Sequence, residues 1–489
     1  MIDVVIKKLN ESYIKCLCSP SIAAELRDYF TFEIPNAQYI ISMMRKKGRT
    51  GFDGKIRLYN AMTGQLLYGL LPKVVEWCIE NDYTFKIPDV LSDTEFSKIE
   101  GEEFIQFLNL PKDKQIRDFQ LKALVEGARG HRRLFVSPTG SGKSMMIYIL
   151  TRYFSGRTLV IVPTVNLIGQ MEEHFKEYGY KDIIHKIHAG QDKYSDAMVT
   201  FSTWQSLKDM DEEYFEQFDV VFGDEAHGIE AKVIQAMFNR MTTIKYRFGF
   251  TATMRETKTN PLVLQGIFGK IVELEKTANL IQKGTLAGLD IKAIVLKYPK
   301  DECKLVSKMS YQEEIKYIIT HKRRNNYIKN LTNGLDGSAL LLFRRIEDQG
   351  DILYELFKNG KRKVFYIHGG VEGDERNEIR KIIETEKDCT ILGSSGVFST
   401  GNDVYNIFNI LLCFPIKGSI KLKQSIGRGL RRNAEKQHLT VFDFIDDFTY
   451  NGKSNHAVNH FVDRAKIYNE EGFAYRMYPI DFKGKEVVN

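Results

Sequence analysis

Short, almost wholly apolar runs recur along two stretches of the chain, and this pattern restricts the fold more than any other feature. The first series is Leu134–Val136, Thr158–Val162, Met198–Phe201, Val220–Phe222 and Phe248–Phe250. The second is Ile291–Leu296, Ala339–Phe343, Val364–Ile367, Thr390–Gly393, Ile407–Leu412 and Leu439–Phe442. Apolar runs without polar alternation are strands buried on both faces, as in a parallel sheet. The amphipathic stretches between them supply the covering helices. Each series therefore predicts one α/β domain, and the chain crosses from one to the other between 255 and 290. At 489 residues it is also too long for a single core. The expected division is 1–110, 111–285, 286–450 and a C-terminal extension, 451–489.

Residues 1–110 read differently, as a small α+β module. Val4–Ile6 and Tyr13–Cys16 are strand candidates, and Ser21 to Tyr29 is a helix candidate that Ser21 can cap. Ile56–Tyr59 predicts another strand, with a turn at Thr63-Gly64-Gln65 before Leu66–Tyr68. The acidic stretch Ser92–Glu103 reads as linker or solvated helix.

Composition excludes some classes. Apolar residues make up 43% and charged ones 27%, a soluble globular balance. No run reaches the ~18 apolar residues of a membrane span, and Met1-Ile2-Asp3-Val4 lacks the basic start of a secretory leader. The six cysteines are scattered without zinc-ligand spacing, which predicts free thiols and a cytoplasmic setting. The net charge of +7 is mild, so a nucleic-acid surface has to come from local clustering.

Ser137-Pro138-Thr139-Gly140-Ser141-Gly142-Lys143-Ser144 joins a predicted strand to a predicted helix, the context a phosphate-binding loop requires. Gly140 and Gly142 let backbone N–H groups wrap an anion at the helix N-terminus. Lys143 offers a point charge to the β- and γ-phosphates, and Ser144 a hydroxyl to Mg²⁺. The usual pattern starts with Gly where this chain has Ser137. A later apolar strand ends in Asp224-Glu225-Ala226-His227. In a parallel sheet its C-terminus faces the same edge as the loop. Asp224 is then placed for the Mg²⁺ shell, and Glu225 to polarise an attacking water.

With the motifs that follow in order, these residues resemble the superfamily-two helicases with a DEAH box. That resemblance implies two tandem RecA-like domains, ATP as substrate and Mg²⁺ as its partner. It implies base contacts from Arg117 and Gln120, and nucleic-acid contacts from Pro163, Thr164, Thr203, Trp204 and Gln205. Thr251 and Thr253 would couple hydrolysis to movement. In the second domain, Arg344, His368, Gly369 and Thr400 would touch nucleic acid, with Gly401 and Asp403 serving the nucleotide. Gln424, Gly427, Arg428 and Arg431 share one face of a predicted helix. By the same resemblance Arg428 and Arg431 are arginine fingers, with Gln424 and His227 in the catalytic set. Such fingers supply on the order of 10³–10⁵ in rate in related NTPases.

The chain is most similar to the phage UvsW-type branch-migration helicases, and this likeness includes Glu25–Phe30, Phe52–Arg57 and Tyr311–Lys316. It implies action on forked or branched DNA, 3′ to 5′ movement, and recombination, replication and repair as the setting. The implied state is a monomer in the host cytoplasm, with phage recombination or single-strand-binding proteins as the partners to expect. Independently, Arg45, Lys46, Lys47, Arg49, Lys55 and Arg57 stand with Phe52 and Tyr59 against a single acid, Asp53. Basic and stackable groups together are the footprint of phosphate and base contact. Two other readings stay open at this point: an RNA helicase or restriction-type duplex translocase, and a nucleotide-gated clamp that binds without processive motion.

Overall fold

Strands with no polar face need cover on both sides, and here they form two seven-stranded parallel sheets, all of them interior except Val364–Ile367, which lies at an edge. The computed structural model describes residues 2–482 except 34–36, 47–50, 52, 89–92, 189–191, 226–230, 253, 255–260, 372–374, 376, 377, 380, 381, 384, 396–405, 417–425, 428 and 431–437. The chain divides into two compact units. One is Met1–Ser137 with Gly142–Leu274; the other is Glu275–Asn489 with the turn Pro138–Ser141.

The first unit opens with a mixed four-stranded sheet. Its strands are β1 (Val4–Lys8), β2 (Tyr13–Leu17), β5 (Gln65–Leu67) and β6 (Phe85–Lys86), in the order β5-β2-β1-β6. A separate antiparallel pair joins β3 (Thr31–Glu33) to β4 (Lys55–Arg57). The first helix is Pro20–Tyr29, and its cap is Ser19, not Ser21 as expected. Pro20 takes the first helical position, where a missing N–H costs nothing, so the capping hydroxyl falls one residue before it. The acidic stretch contributes the helix Lys98–Phe107, closed by a reciprocal Ser97–Glu100 capping box.

The first parallel sheet comprises β7 (Arg132–Val136), β8 (Thr158–Val162), β9 (Ile184–Ile187), β10 (Val199–Thr203), β11 (Val220–Asp224), β12 (Tyr246–Thr251) and β13 (Lys270–Glu273). Their order is β13-β7-β12-β11-β8-β10-β9.

The N-terminal module and this sheet share one apolar cluster, running from Val4 and Leu26 through Trp77 to Leu134, Phe238 and Phe268. At the seam the backbones nearly touch. A Cβ on Gly69 would lie 2.2 Å from the carbonyl oxygen of Gln265, so only glycine fits there. Polar groups cross the same seam. Arg132 pairs with Glu11 at 3.0 Å, and the buried Arg247 donates to Ser12 Oγ at 3.1 Å. Ser12 Oγ in turn donates to the carbonyl of Phe238 at 3.1 Å.

The second unit holds β14 (Gly288–Lys297), β15 (Ala339–Phe343), β16 (Lys363–Ile367), β17 (Cys389–Ser394), β18 (Asn409–Leu412), β19 (His438–Asp447) and β20 (Tyr475–Asp481). Their order is β16-β17-β15-β18-β19-β14-β20. Residues expected as a C-terminal extension supply the edge strand β20, in parallel register with β14, and the helix His456–Glu471. The architecture is thus a tandem RecA-like pair preceded by a small mixed-sheet module. Among the described residues, no helix is long and apolar enough to cross a membrane.

Candidate nucleotide and nucleic-acid sites

The phosphate loop is held at both ends. Ser137 N–H donates to the carbonyl of Thr251 at 2.9 Å, which ties the loop to the end of β12. Gly140 and Gly142 adopt φ of +82° and +84°, the left-handed region. Gly142 is the N-cap of the helix Lys143–Phe154 and makes no side-chain capping bond. The first N–H groups of that helix therefore have no side-chain cap and are available to an anion. A Cβ on Gly142 would stand 2.6 Å from Gln120 Nε2, so the buried Gln120 amide lies against the loop. Gln120 Oε1 accepts from Arg117 N–H at 3.0 Å, which joins the two expected base-contact residues; the Arg117 side chain is exposed.

The acidic pair stands on the same sheet edge. Lys143 and Glu225 form an ion pair across 82 positions. Glu225 adopts φ +48°, rare for a residue with a side chain, and its N–H donates to Asp224 Oδ1 at 3.1 Å. Asp224 is buried at the end of β11. Desolvation raises its carboxyl to about 7, the Glu225 charge pushes the same way, and Lys143 opposes both. Ser144 Oγ lies 3.0 Å from Tyr178 Oη, a contact that no sequence motif announced. The donors at hand for a metal are oxygens, the Ser144 hydroxyl and the Asp224 carboxylate. No group of three or more His, Cys, Asp or Glu among the described residues makes a cage. That donor set fits Mg²⁺, which keeps water and phosphate oxygens as its remaining ligands.

Three family models match the chain: "DNA helicase UvsW, N-terminal" over residues 3–88, "Type III restriction enzyme, res subunit" over 108–256, and "Helicase conserved C-terminal domain" over 322–433. The ATP-dependent DNA helicase UvsW of Enterobacteria phage T4 is 32% identical, covering 98% of this chain and 100% of that one. The crystal structure of T4 UvsW matches with a TM-score of 0.52 at 30% identity, over 98% of this chain and 100% of that one. The DNA 3′–5′ translocase XPB2 of Sulfurisphaera tokodaii is 29% identical over 45% of this chain and 50% of that one. The chain belongs to the UvsW helicase family.

Within this UvsW-family fold, the expected nucleic-acid residues of the first sheet gather together. β8 and β10 are neighbours with Val162 opposite Thr203, so Pro163 and Thr164 emerge beside Trp204 and Gln205. Thr164 caps the helix Val165–Glu177, and its buried hydroxyl has no partner among the described residues. Thr203 is buried with its hydroxyl 3.1 Å from Ser206 Oγ, whereas Gln205 is exposed. Thr251 is fully buried at the end of β12. In the second unit Arg344 is exposed after β15, while His368 and Gly369 follow β16, two strands away.

On the N-terminal module, Arg45, Lys55 and Arg57 are exposed. Arg57 is tied to Asp53 at 2.5 Å, and that bond, with a backbone bond from Lys55, lowers the Asp53 carboxyl to about 2. The side chain of Lys46, together with Lys47, Arg49, Phe52, His227, Thr253, Thr400, Gly401, Asp403, Gln424, Arg428 and Arg431, lies outside the described residues.

Proposed function

We propose that this chain is an ATP-dependent DNA helicase that moves along one strand and remodels forked or branched DNA, including Holliday junctions. The observation that carries the reading is the convergence of Lys143, Glu225 and the buried Asp224 on one sheet edge, next to an anion-wrapping loop. A pure binding module needs the loop but not a carboxylate held against its lysine.

In this mechanism Arg117 and Gln120 hold the base, and residues 139–144 wrap the phosphates with Lys143 on the β- and γ-groups. Ser144 and Asp224 would hold Mg²⁺, which neutralises phosphate charge when bound. Glu225 takes the proton of the attacking water, aided by His227. Gln424, Arg428 and Arg431 act on the γ-phosphate from the second domain, alongside Gly401 and Asp403. Release of phosphate is passed through Thr251 and Thr253 to the strand-contacting residues. Those are Pro163, Thr164, Thr203, Trp204, Gln205, Arg344, His368, Gly369 and Thr400. The T4 relative is a DNA helicase and the Sulfurisphaera relative a 3′–5′ DNA translocase, which supports DNA as substrate and that polarity.

The basic N-terminal surface around Arg45, Lys55 and Arg57 is the candidate for engaging a second duplex arm. Deleting the module is a poor test, because it shares a core with the first helicase sheet. Surface substitution is the better one. Full-length protein is assayed for ATP-dependent processing of forks, four-way junctions, linear duplex and RNA hybrids. Arg45→Ala with Lys55→Ala should reduce fork and junction processing severalfold and leave ATP hydrolysis on single strands unchanged. Equal processing of RNA hybrids and DNA forks by the unaltered chain sinks the DNA reading.

A further inference from the structure

The second sheet contains a crevice that the ATP site does not use. The chain leaves β15 toward β16 and leaves β18 toward β19, in opposite directions along the sheet. In open parallel sheets this switch point parts the connecting loops and creates a ligand crevice at the carboxyl ends of the strands. Here the opening has a volume of about 360 Å³, within the ~300–1,000 Å³ range of small-ligand sites. Arg344 and Arg345 line it from the β15 side, Phe414 and Pro415 from the β18 side, and Tyr311 and Gln312 from the helix Tyr311–Thr320.

Its walls are fixed. Gln349, 1% exposed, accepts from Arg344 N–H at 3.3 Å and donates to the Cys413 carbonyl at 2.8 Å, which staples the two strand ends together. Arg345 donates to Gln312 Oε1 at 2.6 Å and lies 3.3 Å from Asp348. The Tyr311 ring meets those of His456 and His460 at 80° and 62°, which holds its plane. The Arg344 guanidinium, by contrast, is exposed and has no hydrogen-bond or ion-pair partner among the described residues.

A rigid crevice with a partly exposed aromatic ring, an apolar floor and one unspent cation matches a nucleotide unit: a flat base and its phosphate. We propose that it holds one nucleotide of the DNA strand on which the chain moves. The base lies against Tyr311 over Phe414 and Pro415, and the phosphate sits on Arg344. The inference rests on the DNA-helicase reading and deepens it by naming where a base, not only the backbone, is gripped.

The test uses full-length protein and a single-stranded oligonucleotide carrying 5-iododeoxyuridine. Irradiation should crosslink the strand to the tryptic peptide 309–316, which contains Tyr311. Tyr311→Leu should lose that crosslink and weaken strand binding about tenfold, while Tyr311→Phe keeps both. Arg344→Gln, an exposed change with no folding risk, should lower the slope of log affinity against log salt by about one. Wild-type affinity in Tyr311→Leu with crosslinks only outside 309–316 overturns the proposal and leaves the crevice to a ligand other than DNA. An unchanged salt slope in Arg344→Gln overturns the phosphate placement. Labelling of this peptide by 8-azido-ATP in place of the strand reassigns the crevice to free nucleotide and also overturns it. Failure of the parent reading looks different: the unaltered chain would show no DNA-stimulated ATP hydrolysis at all.

Discussion

Lys143 and Glu225 meet as an ion pair on the carboxyl edge of the first sheet, joining the phosphate loop to the acidic strand end. If Glu225 is the base proposed above, a phosphate chain seated in the loop competes with it for the lysine and frees the carboxylate toward water, so that nucleotide arrival and activation of the base are one event. Glu225→Gln keeps a hydrogen-bonding side chain of the same shape but cannot take a proton. Its phosphate release in the presence of DNA should fall by roughly 10²–10⁴-fold, with nucleotide affinity within a few-fold of normal. Lys143→Ala should instead lose nucleotide binding. Steady-state turnover and fluorescent-nucleotide titration read the two effects separately, and turnover within tenfold of normal in Glu225→Gln removes that residue from the base role.

Asp224 gives a pH prediction with a definite sign. Its carboxyl is raised from 3.8 to about 7 by desolvation, then by the Glu225 charge. An acid raised on folding holds an extra proton in the folded state between those two values. The associated stability is fully present below the lower value and is lost as pH rises through about 7. Asp224→Asn removes the titrating group, so without nucleotide the variant should melt higher than the parent at pH 8. The two should converge near pH 5. The same variant should lose stabilisation by ATP with Mg²⁺. Thermal melts at the two pH values decide it; a variant less stable at pH 8 counts against an uncompensated buried carboxylate.

The sequence was most legible where burial was most complete. Every interior strand of both parallel sheets appears among the apolar runs. The three parallel strands that the pattern missed, β9, β13 and β20, are all edge strands. An edge exposes part of each residue, so β9 carries His185 and Lys186, and most of β20 is exposed. The fourth edge strand, β16, was legible because Val364–Ile367 is apolar throughout; the other three carry no such run. The phosphate loop and acidic pair were legible because their chemistry is bound to fixed local spacing. Tyr178 beside Ser144, and the crevice at β15 and β18, were not. Both depend on residues that only the folded chain brings together.

The shared core of the N-terminal module makes a stability prediction. Arg132 is almost fully buried, donates to the Glu11 backbone and carboxylate, and lies 4.4 Å from the centre of the Tyr68 ring. Burial pulls its ionisation down, and the Glu11 charge opposes that. Glu11→Ala leaves a buried guanidinium without its anion, which costs about 3 kcal/mol. Both the module and the first helicase sheet should unfold in a single transition at lower denaturant. Tryptophan fluorescence reports on each side, since Trp77 lies in the module and Trp204 beside β10. Two separate transitions would show that the module is only tethered.

The segment past 450 completes the second sheet, and its anchors are polar. Arg464 donates to both Asp443 oxygens at 2.9 and 2.8 Å and to the Ile416 carbonyl at 2.9 Å, with all three groups buried. Tyr468 donates to the same carboxylate at 2.9 Å. Glu314 accepts from the N–H groups of His456 and Ala457 at 3.1 and 2.9 Å, placing negative charge at the start of the helix His456–Glu471. Removing one partner of a buried pair leaves the other charge stranded, so Arg464→Ala should cost about 3–5 kcal/mol. Ile416 follows directly on the crevice wall, so loosening it should also weaken strand binding. Truncation after Tyr450 removes the edge strand β20 with its helix, and should abolish soluble expression of the second unit. Denaturant titration of Arg464→Ala is the measurement, and a midpoint equal to the parent's would mean that packing of β20 against β14, rather than this ion pair, holds the segment in place.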